Sequence, residues 1–271
     1  MKRTILFLTI FSCLFTACSK SGSGSGSGNT GNPQPGSGST DLIKSISIQV
    51  QATANNKADT ITTYYTYDAQ GRCTESIEGK DTTYYTYTSR TLTSTQGSYT
   101  IIYYLNAAGT SADSAHLVVS ILGYSITTLY TYSYDANGYL IRRNTYQETA
   151  HGDSLEVADL ISYTNGNLTQ DKDTVNNITT LITYNNLTTT TAPLPPDPLF
   201  GAAIDFGPAG YTSLLGHGST NLIASLPEVI GPESWTINFA YTLDNKNRIS
   251  TVTQTYQPNT QPRSVSYYTY Y

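Results

Sequence analysis

One short unit, written several times, limits what this chain can become. Tyr65-Thr66-Tyr67-Asp68-Ala69-Gln70-Gly71-Arg72 returns as Tyr132-Ser133-Tyr134-Asp135-Ala136-Asn137-Gly138-Tyr139. Looser copies are Tyr103 to Gly109, Ser162 to Leu168 and Phe239 to Asp244, with degenerate ones around Tyr87 and Tyr184. Residues two apart in a strand share a face, so Tyr65 and Tyr67 point one way and Tyr64 and Thr66 the other. The Asp-x-x-Gly that follows suits a type I turn, in which Asp68 or Asp135 accepts hydrogen bonds from its own turn. Gly71 or Gly138 then takes the positive φ that feeds the returning strand. Each unit is therefore a β-hairpin. Repetition at this length predicts an array of hairpins, an antiparallel meander forming one twisted sheet curved as far as a half-barrel.

Composition agrees. The chain of 271 residues holds 24 Tyr and 44 Thr, both strand formers and mediocre in helices. Charged residues are only 12% and the net charge is −5, with no Lys/Arg cluster to neutralise phosphates. Helical bundles, Rossmann-type enzymes and nucleic-acid partners are excluded on these grounds.

The N-terminus reads as an address. Lys2 and Arg3 precede an apolar stretch, Ile5 to Ala17, too short to span a bilayer. It ends in Leu14-Phe15-Thr16-Ala17-Cys18, which resembles the lipobox of bacterial lipoproteins, with Phe15 where Leu is usual. The resemblance implies cleavage of residues 1–17 and lipidation of Cys18. Several acyl chains give durable membrane anchoring. Loss of Lys2 and Arg3 takes the net charge from −5 to −7. Cys13 leaves with the leader, so Cys73 has no intramolecular disulfide partner and is expected in the core. No Asp follows Cys18, which argues for the outer membrane, with the periplasmic face favoured over the cell surface. Residues 18–40 form a tether; 14 of residues 19–40 are Gly or Ser. Residues 41–271 are the β domain.

The hairpin unit resembles the tyrosine–aspartate (YD, Rhs-type) repeat, whose core is Tyr-x-Tyr-Asp-x-x-Gly-Arg/Asn-Leu. A second segment, Leu214-Leu215-Gly216-His217-Gly218-Ser219-Thr220-Asn221-Leu222, resembles the Leu-Gly-x-x-Ser-x-Asn-Leu stretch of a family of bacterial lipoproteins with degenerate YD-like hairpins, a domain of unknown function. The resemblance covers about 45–271 and implies a fold and a location, not an activity.

Seven of the eleven prolines fall between Pro193 and Pro232. Proline removes a ladder donor, so 193–232 is expected to be a loop or short-helix insertion, not central strand, that covers one sheet face with Leu199, Phe200, Ile204, Phe206, Leu214 and Leu215. As a long loop it is also a candidate functional rim.

Few residues point to chemistry. His217 lies near Ser213 and Ser219, but nothing local supplies an elbow or an orienting acid. Asp171 and Asp173 form a lone D-x-D without the Gly or Glu of a calcium loop. No cofactor is expected. Asp-Ser/Thr sequons at Thr60, Thr82, Ser114, Ser154 and Thr174 resemble the O-glycosylation acceptor of some Gram-negative envelope proteins. The functional expectation is a non-enzymatic binding or scaffold module of the envelope, its partners the membrane through Cys18 and a glycan or envelope protein. The alternative is a glycan-binding or glycan-processing accessory protein. A transmembrane barrel, raised by the aromatic C-terminal strand, is disfavoured by Tyr alternating with Thr or Ser and by a mean hydropathy of −0.29.

Overall fold

The computed structural model describes residues 42–51, 58–149, 151–188, 214–230, 233–257 and 262–271. Among the described residues, the copies that end at Tyr67, Tyr87, Leu105, Tyr134, Thr164 and Leu243 each form a strand, a turn and a returning strand. The strands are β1 (Ile43–Val50), β2 (Asp59–Tyr67), β3 (Cys73–Glu78), β4 (Asp81–Tyr87), β5 (Thr91–Gln96), β6 (Tyr99–Leu105), β7 (Ala112–Ile121), β8 (Tyr124–Tyr134) and β9 (Leu140–Thr149). They continue as β10 (Gly152–Thr164), β11 (Asn167–Asp173), β12 (Ile178–Leu181), β13 (Thr183–Tyr184), β14 (Ile223–Ile230), β15 (Glu233–Leu243), β16 (Ile249–Gln257) and β17 (Pro262–Tyr270).

Each strand from β1 to β12 pairs antiparallel with the next, as do those from β13 to β17, and β1 also pairs with β17. Only Ile182 separates β12 from β13, and its N–H reaches Thr169 O at 3.1 Å. That one line of chain is bound to β11 on one flank and to β14 on the other. The meander thus curls past a half-barrel into a nearly closed barrel, which leaves little unpaired strand edge.

Local chemistry helps the sheet to curl. Register shifts recur beside the repeat turns, between Thr66 and Tyr67, Tyr104 and Leu105, Ser133 and Tyr134, Tyr163 and Ser162, and Thr242 and Leu243. Each bulge bends its strand and adds right-handed twist at the same end of the barrel. We call this the turn end.

The core is the interior. Buried side chains from around the ring form one cluster, among them Ile46, Tyr65, Tyr85, Leu92, Tyr103, Leu140, Leu168, Ile223, Phe239, Val252 and Tyr268. The two-residue period separates the faces sharply: Tyr65 is 2% exposed, while its neighbour Tyr64 is 56% exposed. Cys73 is fully buried in this interior and its thiol lies 3.4 Å from Glu75 O.

The proline-rich stretch departs from expectation in part. Residues 189–213, with Leu199, Phe200, Ile204 and Phe206, lie outside the described residues. Ile223–Ile230, assigned from its proline to an insertion, is instead strand β14, and Pro227 pairs with Thr236. The ladder toward β13 ends at Ser225, so Pro227 has no ladder partner on that flank and proline is tolerated there. Residues 214–222 lie across the turn end rather than over a sheet face.

Candidate functional site

At the turn end the repeat residues hold the hairpins together. Asp68 Oδ1 accepts from the N–H groups of Gln70 and Arg72, both at 2.9 Å, and Gly71 stands at φ 77°. Asp135 repeats this with Asn137 and Tyr139, again at 2.9 Å, and Gly138 has φ 82°. Asp244 does the same, with Asn247 taking the positive φ. Arg72 folds back on Asp68 and Arg248 on Asp244, each with Nε donating at 2.7 Å. Burial opposes ionisation of Asp68, but the N–H and guanidinium of Arg72 hold its carboxyl below the usual range.

Four tyrosines near the turn ends of β4, β8, β15 and β17 share one task. Tyr87, Tyr134, Tyr241 and Tyr270 donate their hydroxyls to the carbonyls of Cys73, Ala112, Ile223 and Ile249, at 2.7–2.9 Å. Each acceptor is the first residue of the preceding strand, where the ladder between the two strands has stopped two residues short. A carbonyl stranded inside the barrel would be costly, and the tyrosine satisfies it. Burial raises the pKa values of Tyr87, Tyr134 and Tyr241 well above the usual tyrosine range, so these hydroxyls stay protonated as donors. This geometry was not legible in the repeat, because the acceptor is 14 to 22 residues away.

Residues 214–222 close over part of this end. The Tyr134 hydroxyl also lies 3.0 Å from Leu214 O, His217 N–H reaches Gly138 O and Thr220 N–H reaches Gly166 O. Asn167 and Asn221 exchange two bonds, at 2.9 and 2.8 Å. Leu214, Leu215 and Leu222 are buried beneath. Ser219 Oγ accepts from Leu168 N–H and meets Tyr184 Oη at 2.8 Å, while His217 packs on the Tyr139 ring. The hydroxyl of Ser219 is thus committed to the strands, and Ser213 lies outside the described residues.

Among the described residues, a charged cluster inside the barrel lies on β9, β10 and β11. Register places Arg143 opposite Tyr132 and Asp159, and Asp171 opposite Ile161. Arg143 Nε donates to Asp159 Oδ2 at 2.7 Å, with Nη2 at 2.6 Å from the same oxygen. Burial disfavours the guanidinium charge, but the Asp159 carboxylate more than restores it. Asp171 Oδ1 is buried and makes no hydrogen bond. Burial, with Asp159 close by, pushes the Asp171 carboxyl up to about 6 despite Arg143. Asp173 is different. Burial opposes its ionisation, but the side-chain amide of Asn176 and the N–H groups of Ala158, Asn176 and Val175 hold its carboxyl low. Among the described residues no group of three His, Cys, Asp or Glu is placed to hold a metal ion. Burial also pushes the Asp159 carboxyl up, against the pull of Arg143. What the cluster offers is a fixed cation, its carboxylate partner and a second carboxyl that changes protonation in mildly acid conditions.

The sequon hydroxyls do not converge. Thr60 and Ser154 are exposed, Thr82 and Ser114 are half-buried on separate strands, and Thr174 donates its hydroxyl to Ala158 O. Cys18 lies outside the described residues.

These geometries define a class: an antiparallel barrel with its large side chains inside. No protein family model and no curated protein matches the chain. Solved structures do. A porin-like protein from Bacteroides uniformis is similar over 84% of this chain and 98% of its own, with TM-score 0.61 and 19% identity. A porin-like protein from Bacteroides vulgatus is similar over the same shares, with TM-score 0.54 and 14% identity. At these identities the likeness establishes the barrel fold.

Proposed function

We propose that the protein is a non-enzymatic, lipid-anchored module of the outer membrane, with its barrel outside the bilayer as a rigid binding scaffold. One observation carries this reading, the direction in which the barrel faces. A membrane barrel turns an apolar band toward lipid and keeps a polar interior. Here Tyr65, Tyr85, Leu92, Ile101 and Tyr103 are buried inside. The outward positions of the same wall are dominated by threonine, as at Thr62, Thr66, Thr86, Thr91, Thr93 and Thr95. The porin-like neighbours favour an envelope setting, and the lipobox-like Cys18 supplies the anchor. The YD-type lipoprotein family is the relationship we propose for the chain, on the repeat and on the Leu214–Leu222 segment. The exposed hydroxyls of Thr60 and Ser154 are the sequon positions best presented for glycosylation.

Exchanging the leader for a conventionally cleaved export signal together with Cys18→Ser tests the reading. The parent is expected in the outer-membrane fraction and the variant in the soluble periplasm. A variant that stays in the membrane after alkaline extraction would mean that the strands themselves are inserted.

A further inference from the structure

The repeat contains an internal control for its outward tyrosines. With the copies aligned on their inward pair, the outward residue just before that pair is Tyr64 in β2, Tyr84 in β4 and Tyr267 in β17. In β8 and β15 the same position holds Thr131 and Asn238. Those two strands build the same hairpin and the same carbonyl clamp, through Tyr134 and Tyr241. The barrel therefore does not need tyrosine at this site. Yet the three that occur sit on one wall and are 56%, 57% and 40% exposed, for Tyr64, Tyr84 and Tyr267.

They also form a regular row. Ser47 pairs with both Tyr267 and Thr62, and Ile77 with both Tyr64 and Thr82. Each step from one tyrosine to the next therefore crosses two strands and advances two residues, about 12 Å from strand spacing and rise. Because barrel strands tilt, this stagger carries the row around the barrel rather than along one strand. Between the rings lie hydroxyls, including the Ser47–Thr62 pair at 2.9 Å, the partly exposed Ile77 opposite Tyr64, and one carboxylate, Glu75, opposite Tyr84.

We propose that this row is a platform for the glycan strand of peptidoglycan. A β-1,4-linked pyranose carries its substituents equatorially and so presents apolar C–H faces with hydroxyls at the rim. Tyrosine offers the complement, a flat apolar ring with a polar tip. The step is on the scale of one disaccharide, and strand positions hold the rings rigidly. The nearly uncharged wall matches sugar faces and is a poor partner for a phosphate backbone or anionic headgroups. Interleaved Thr and Ser hydroxyls also make it unlike the continuous apolar band that lipid requires. The proposal rests on the envelope reading for its ligand, and it deepens that reading by naming the partner.

Co-sedimentation of the detergent-solubilised, lipid-modified chain with purified peptidoglycan sacculi tests it. The parent sediments, and Tyr64→Ala combined with Tyr84→Ala weakens binding at least tenfold with an unchanged melting temperature. Tyr124→Ala, at an exposed hairpin tip outside the row, leaves binding intact. Equal binding by the double variant, or no sedimentation of the parent, overturns the proposal but leaves the extramembrane barrel standing. A chain carrying Tyr84→Trp together with Trp235→Phe, in proteoliposomes, whose fluorescence is quenched by brominated lipid overturns both, because the row would then lie in the bilayer.

Discussion

Asp171→Asn isolates the balance of charge inside the barrel. Burial and Asp159 raise the Asp171 carboxyl from its ordinary 3.8 to about 6 in the folded protein. That shift corresponds to at most about 3 kcal/mol, and solvent screening at a partly exposed side chain brings the expected effect to about 1–2 kcal/mol. The sign follows from proton counting. Between pH 4 and 6, roughly, the native chain holds a proton that the unfolded chain has lost, so stability falls as pH rises through this window. Above it the penalty is complete and constant. Asparagine cannot ionise and matches the carboxyl in size, so the variant is expected to be more stable than the parent by about 1–2 kcal/mol at pH 7.5 and equal to it at pH 4. Urea denaturation at the two pH values measures the difference, and other acid-sensitive groups cancel between the proteins. A variant less stable at pH 7.5, or a difference that does not change with pH, would refute the argument. The first result would show that the carboxylate makes a contact the barrel needs, and the second that its ionisation carries no penalty in the folded chain.

Three further changes probe the scaffold. Asp68→Ala removes the acceptor for Gln70, Arg72 and the Arg72 side chain, and is expected to cost about 1–2 kcal/mol at pH 7. Because the Asp68 carboxyl is held low in the folded state, that cost fades as pH falls through its depressed value, which urea titrations at pH 7 and 3 would reveal. Gly216→Ala would bring Cβ to 2.5 Å from Gly138 O at a φ of 91°, so the 214–222 segment should lift and expose the His217 amide to faster hydrogen exchange. Leu122 is 93% exposed and sits at φ 52°, where the equivalent turn before Gly166 uses Asn165. Leu122→Asn should therefore raise stability by about 0.5–1 kcal/mol in thermal unfolding, since asparagine tolerates this backbone region.

Much of the scaffold is readable because its causes are local. Alternation decides that Tyr65 goes in and Tyr64 out, and Asp68 with Gly71 needs only its own turn. Asp171 and Asp173 show where such reading stops. Their spacing invites treatment as a pair, yet Asp173 caps the next turn while Asp171 stands beside an ion pair from two other strands. The proline rule failed at Pro227 for a similar reason. It counts a missing donor without knowing that the neighbouring strand, β13, is only two residues long.

By itself the sequence determined the hairpin unit, its inward and outward faces and the turn chemistry, because these depend on contacts within a few residues. Only the tertiary structure decided that the meander closes nearly to a barrel through the β12–β13 line. It also decided that Tyr hydroxyls satisfy the strand-opening carbonyls, that Leu214–Leu222 crosses the turn end, and that Arg143, Asp159 and Asp171 meet inside. Each of these joins residues from different strands, and register and curvature, not spacing along the chain, bring them together.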